Sequence, residues 1–186
     1  MSVQNSQTER PSEPFSTIYH RFPQNIAILA DVPNLFASGK NIGVKVDYLS
    51  LIKGITGSRN LVRAFAFSVE KNESHAKFTK ALSLAGFENR VKKSTGRAES
   101  NLVSITLEAV RMAPKVDTIC LVTGDRAYSE LCSHLRSIGC RVEVYSIRDS
   151  AESVLRESAD FYSDIPQELT FADTDKASDS QPPPSA

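Results

Sequence analysis

An α/β fold, with a mostly parallel central sheet covered on both faces by helices, is what this sequence predicts. Three observations carry that prediction. Short apolar runs alternate with segments of helical spacing from Ile26 to Ile165. One run, Thr118 to Val122, is apolar almost throughout, as strands buried on both faces are. Gly86, Pro114 and Gly139 stand where helices should stop. Strands and helices in such alternation build a parallel sheet with right-handed crossovers.

Taken in order, Ile26 to Ala30 reads as the first strand, and Val32-Pro33 as a turn after it, because proline fixes φ and biases its predecessor away from helix. Gly39-Lys40 and Gly43 read as loop. Val46 to Ile55 has helical spacing in Tyr48, Leu49, Leu51 and Ile52. Leu61 to Val69 alternates through Val62, Ala64, Phe65 and Phe67 and reads as a strand. Glu73 to Ala85 is a helix, Phe87 to Val91 a strand, and Ser100 to Met112 a helix. Thr118 to Val122 is followed by a helix over Ala127 to Ile138 and a strand over Arg141 to Ile147. Ala151 to Glu157 gives a turn or two of helix, and Asp160 to Ile165 a last strand.

The chain of 186 residues divides into an arm over residues 1–23, one domain over 24–165, and an acidic, proline-rich tail over 166–186. Phe15, Ile18, Tyr19 and Phe22 are the arm's apolar exceptions and could pack a short segment onto the domain. The chain's net charge is zero, while from Gln24 to Ile165 nineteen Lys and Arg face sixteen Asp and Glu. A balance this slight permits a polyanionic partner without requiring one. Cys120, Cys132 and Cys140 form no C-x-x-C pair and read as buried free thiols of a reducing compartment. With no long apolar span and no secretory leader, the expectation is a cytoplasmic protein that does not enter membranes.

Chemistry is concentrated in three acids. Asp31 ends the first strand, with Asn34 three residues on; Asp125 ends Leu121-Val122-Thr123-Gly124-Asp125; Glu108 lies within a helix. Ligands of open parallel sheets bind at the carboxyl ends of the strands. Two carboxylates about 4 Å apart repel by roughly 4 kcal/mol at an effective dielectric near 20, so acids gathered there call for a cation or a retained proton. The trio therefore reads as a site for one Mg²⁺ or Mn²⁺, held through oxygen, with Asn34 as a further ligand. Each acid alone also has a plainer reading: Asp31 and Asp125 as caps, Glu108 as part of a solvated helix face that it shares with Asn101 and Ser104. Arg90, Lys92, Lys93 and Arg97 form a basic stretch before that helix, the kind of cluster that contacts phosphates, and Arg126 could add a contact. Neither G-x-G-x-x-G nor a P-loop is present, and Pro33 occupies the place where a haloacid-dehalogenase arrangement wants its second Asp.

Asp31-x-x-Asn34, the helix through Ile105-Thr106-Leu107-Glu108, Thr123-Gly124-Asp125, Gly139-x-Arg141-Val142, and Leu155 to Tyr162 together resemble the NYN domain. This is the LabA-like branch of the PIN-like nuclease superfamily, and the similarity spans about Asn25 to Ile165. The resemblance implies a three-layer α/β/α sandwich of PIN-like, Rossmann-like topology. It implies a metal-dependent ribonuclease acting on RNA, single-stranded by preference, with Asp31, Glu108 and Asp125 as catalytic and metal-binding acids. Lys93, Arg97 and Arg126 would bind RNA; Asn101, Ser104 and Thr123 would be accessory. A homodimer is a further expectation. Two positions depart from the family pattern, for Leu102 and Ala127 stand where acids are usual. The alternative reading is an NYN domain that binds RNA or a protein without cleaving.

Overall fold

The computed structural model describes residues 24–70, 75–94, 100–148 and 150–172. Its elements are β1 (Asn25–Asp31), α1 (Val32–Ile42), β2 (Val44–Val46), α2 (Tyr48–Thr56), β3 (Asn60–Glu70), α3 (His75–Leu84) and β4 (Glu88–Lys93). The second half adds α4 (Leu102–Met112), β5 (Thr118–Val122), α5 (Ser129–Ser137), β6 (Arg141–Ser146), α6 (Ser153–Ser158), β7 (Phe161–Asp164) and β8 (Thr170–Ala172). Six strands form one sheet in the order β4-β3-β1-β5-β6-β7, every neighbouring pair parallel. A separate antiparallel pair joins β2 to β8.

Alternation along β1 divides the core. Ala27 and Leu29 pack with Ile105, Leu131, Leu135 and Leu155, from α4, α5 and α6. Ile26, Ile28 and Ala30 pack with Leu35, Leu51, Ile52 and Leu82, from α1, α2 and α3. Side chains that alternate in this way on a central strand require a helical layer on each face, and the result is a three-layer α/β/α sandwich. The strand order reverses at β1: β3 and β4 lie to one side, β5, β6 and β7 to the other. That reversal opens a crevice at the carboxyl ends of β1 and β5, which is where doubly wound sheets bind ligands.

Two segments differ from the sequence reading. Val32-Pro33 is the first turn of an 11-residue helix, because a proline there gives up only an N–H that has no partner in any case. Gly43 closes that helix in a left-handed conformation, φ 74°, with its N–H directed at Gly39 and Lys40 carbonyls. Past Ile165 the chain continues as a 3-10 turn over Gln167–Leu169 and then β8. Leu169 packs against the core, so the fold extends to Ala172 rather than ending at Ile165. Among the described residues, no helix is long and apolar enough to cross a membrane.

Candidate functional site

Asp31 is the last residue of β1 and follows Ala27 and Leu29 onto the face covered by α4 and α5. It is 6% exposed. Its Oδ2 accepts a hydrogen bond from the Tyr128 hydroxyl at 2.8 Å, and its Oδ1 accepts one from Asn101 Nδ2 at 3.3 Å.

Local structure delivers both donors. Asp125 follows β5 and caps the 3-10 turn Arg126–Tyr128, its Oδ1 accepting from Ala127 N–H at 2.9 Å. That turn carries Tyr128 under the rim, where it is fully buried. Asn101 immediately precedes α4, and its Nδ2 also donates to the Phe67 carbonyl at 3.2 Å. Two acceptors on one side fix the amide's orientation, since the flipped amide would set oxygen against oxygen. Among the described residues Asn101 Oδ1 is left buried without a partner.

Burial holds the Asp31 carboxyl above its ordinary value; the Tyr128 and Asn101 hydrogen bonds oppose that shift, and the charge of Asp125 adds to it. Burial likewise raises the Tyr128 hydroxyl, and the negative charge of Asp31 raises it further. Tyr128 therefore keeps its proton and donates a hydrogen bond to Asp31, and the two residues stabilise each other's protonation states.

The surrounding loops are tied together. Asn34 Oδ1 accepts from Gly124 N–H at 2.8 Å, joining the first turn of α1 to the loop after β5. Buried Thr123 accepts from Asp125 N–H through its hydroxyl at 3.2 Å. Gly124 also passes close to the loop after β6: a Cβ there would lie 2.7 Å from Ser150 Oγ and 2.8 Å from Ser150 O. Only glycine fits such an approach.

The structure does not assemble the trio expected from the sequence. Asp31 and Asp125 lie at the same rim, but Glu108 is seven residues beyond Asn101 on α4, roughly 10 Å down the helix at 1.5 Å per residue. There its Oε2 is 3.8 Å from Arg90 Nε, and the Arg90 guanidinium lies 4.8 Å over the Phe65 ring. Arg90 is in register with Phe67 on β3, and Phe67 with Asp31 on β1. Leu102 packs against the core, and Ser104 is half-buried on α4. Ala127 is exposed. Arg126 is exposed and pairs with Glu152 at 3.4 Å. Lys93 ends the edge strand β4 and is exposed, while Arg97 lies outside the described residues. Lys92 Nζ reaches the Ser100 carbonyl at 3.0 Å, beside the entrance to α4.

Among the described residues no three His, Cys, Asp or Glu side chains come together to hold a metal ion. Asp31 already accepts from two donors, Asp125 spends one oxygen on its turn, and Asn34 Oδ1 is committed to the backbone. The hydrogen bonds that these oxygens already accept leave fewer lone pairs for a cation than the three-acid expectation assumed. Tyr128 is the residue the sequence reading missed. Its signal was present in Gly124-Asp125-Arg126-Ala127-Tyr128, where a tyrosine follows three residues after the rim acid.

A parallel sheet whose switch point carries an acid pair, one from the end of β1 and one from the loop after β5, defines the class: a PIN-like α/β domain. The NYN domain model matches residues 25–166, and the chain belongs to that family. Among solved structures it is similar to a protein of unknown function from Vibrio parahaemolyticus, with 27% identity, 80% of this chain and 97% of that chain covered, and a TM-score of 0.73. No curated protein matches.

Proposed function

We propose that this chain is a non-hydrolytic NYN domain, an RNA-binding module that engages single-stranded RNA beside the carboxyl rim of its sheet. The occupancy of Asp31 carries the reading. Tyr128 and Asn101 give it two neutral hydrogen-bond donors, while Leu102 and Ala127 supply no charge where the resemblance puts acids. Hydrogen-bond donors thus stand where a nuclease would present oxygens to a cation. Family membership supports RNA as the ligand, and so does the basic strand β4. Arg90, Lys92 and Lys93 follow one another along an edge strand, with Lys92 held at the entrance of α4. Phosphate contacts of this kind give sequence-tolerant, salt-dependent affinity.

A second reading, hydrolysis around one Mg²⁺ or Mn²⁺ near Asp31 and Asp125, is favoured by one observation. Asn101 Oδ1 is a buried oxygen beside Asp31 with no hydrogen-bond partner among the described residues.

The test is binding of a labelled single-stranded RNA to the full chain in chelator and in Mn²⁺, with cleavage followed on a denaturing gel. The expected result is binding in chelator that weakens with salt. Replacing Lys92 and Lys93 by Ala should flatten the logarithmic salt dependence by roughly 0.7 per lost phosphate contact. Intact RNA should remain in Mn²⁺, for wild type and for Tyr128→Phe alike. No binding at low salt sinks the RNA reading. Cleavage that needs Mn²⁺ and disappears in Asp31→Ala establishes the second reading instead.

A further inference from the structure

An open groove of about 850 Å³ lies on the helical layer of α1, α2 and α3, with β2 and β8 along one side. One end of it is at the carboxyl rim. Val32 and Pro33, directly after Asp31, line it, and so do Ser68 and Val69 of β3. Asp31 is in register with Phe67, one residue before Ser68. Val69 is in turn paired with Lys92 of β4, so one strand spacing, about 5 Å, separates the rim end of the groove from the basic edge strand.

Two aromatic rings on the groove's walls face solvent rather than core. Phe36 is 61% exposed and Phe171 53%, and each stands beside a lysine that lines the same groove. Phe36 and Lys40 are i and i+4 on α1, neighbours on one helix face with Cβ atoms about 5–6 Å apart. Phe171 and Lys45 are direct partners in the β2–β8 ladder, where paired side chains share a face. Two unrelated elements thus present the same unit, a ring with a cation next to it. The acid among the lining residues is Asp47, whose oxygens accept from Leu49 N–H, Ser50 N–H and the Ser50 hydroxyl as the cap of α2. Two lysines against one compensated acid give the groove a positive sign.

A purely apolar occupant would gain nothing from the lysines. Unpaired nucleotides use both parts of the unit, for their bases stack on aromatic faces and their phosphates take lysine. We propose that the groove receives unpaired bases of the single-stranded RNA bound at the rim, with Phe36 and Phe171 as stacking faces and Lys40 and Lys45 on the flanking phosphates. This rests on the RNA reading above and adds base contacts to the phosphate contacts of β4. The bases of a duplex are already stacked on one another, so the groove is what makes the chain prefer single strands.

The experiment uses the full chain and two probes of equal length and charge, a short oligouridylate and an abasic ribose-phosphate strand. Wild type should bind the oligouridylate about tenfold more tightly, the size expected of a stacked base. Phe36→Ala and Phe171→Ala should each lower that preference several-fold and leave abasic affinity unchanged, whereas Lys40→Ala should weaken both probes alike. Both rings are exposed, so neither truncation touches the core, and thermal unfolding should not change. Equal wild-type affinity for the two probes would leave phosphate binding at β4 standing and overturn the groove. An oligouridylate preference that survives in both ring variants overturns it too. Binding of neither probe at low salt overturns the inference together with the RNA reading. Self-association that both ring variants abolish, with the preference intact, puts a second copy in the groove instead.

Discussion

Asp31 and Glu143 are equally hidden, at 6% and 5% exposure, yet the fold treats them in opposite ways. Glu143, in the middle of β6, accepts from Arg59 Nη1 at 2.8 Å, Arg141 Nε at 3.1 Å and the Tyr145 hydroxyl at 2.8 Å. Burial pushes its carboxyl up, but the Arg59 and Tyr145 hydrogen bonds and the Arg59 charge outweigh burial, and the carboxyl stays below its ordinary value. Asp31 accepts from neutral Tyr128 and Asn101, faces the charge of Asp125, and is raised. A buried acid that serves the fold is given a counter-charge. Asp31 instead lies at the carboxyl rim, with neutral donors on its two oxygens.

The sharpest way to break the contrast is at Glu143. Arg59→Met removes its shortest charged partner and leaves a buried carboxylate with Arg141 and Tyr145. Loss of one member of a buried pair costs about 3–5 kcal/mol, and the two remaining donors place the expectation at the lower end, about 3 kcal/mol, read from urea unfolding. Adding Glu143→Gln to that variant should recover most of the loss, because the stranded charge is gone. A cost under about 1 kcal/mol for Arg59→Met would mean that Glu143 needs no counter-charge, and the comparison would fail.

At Asp31 the pH dependence has the opposite sign. Its folded value lies above the unfolded 3.8, so between the two the folded state binds more protons than the unfolded state, and stability falls as pH rises. The contribution of Asp31 is fully favourable below pH 3.8 and is lost as pH rises through the raised folded value. Asp31→Asn cannot titrate. The stability of wild type relative to this variant should therefore decline from pH 3.5 upward, as followed by thermal unfolding across a pH series. For Glu143→Gln the same series should show the reverse, with wild-type advantage lost as pH falls. Parallel curves for the two variants would erase the distinction between the acids.

How much of this was legible in the sequence depended on how local its cause was. Ile26 to Ala30 and Thr118 to Val122 read as strands because burial on both faces leaves almost no polar residue in them. α1 did not read as a helix, since Ala37-Ser38-Gly39-Lys40-Asn41 has little helical preference of its own and Pro33 signals a turn as readily as a first helical turn. Gly39 is there for packing: a Cβ would lie 2.5 Å from the Val44 carbonyl, where the chain folds back into β2. β8 is three residues whose ladder partner is β2, far away in sequence, and nothing local announces it. In the site, Asp31 and Asp125 were legible because strand ends are where open sheets bind. The role of Tyr128 was not, because it is set by a carboxylate 97 residues distant. Helical periodicity gave Glu108 a face shared with Asn101 but not its partner, which is Arg90 of β4.

Glu108 supplies the smallest expected effect and also the most direct check on where the site ends. Its Oε2 is 3.8 Å from Arg90 Nε, with side chains 16% and 43% exposed, and pairs with this much solvent contribute about 0–1 kcal/mol. Arg90 also keeps Glu88 at 3.6 Å and its place over Phe65 without Glu108. Glu108→Gln should accordingly shift stability by less than about 1 kcal/mol and leave RNA affinity in chelator unchanged, since the substitution alters no group at the rim. Arg90 freed from one carboxylate would, if anything, attract phosphate more. A marked loss of RNA binding or of any Mn²⁺ response in Glu108→Gln would join its carboxylate to Asp31 and Asp125 after all. The contrast would then no longer lie between a counter-charged structural acid and a solitary one at the rim, but between two structural arrangements and a three-acid site that closes when its ligand arrives.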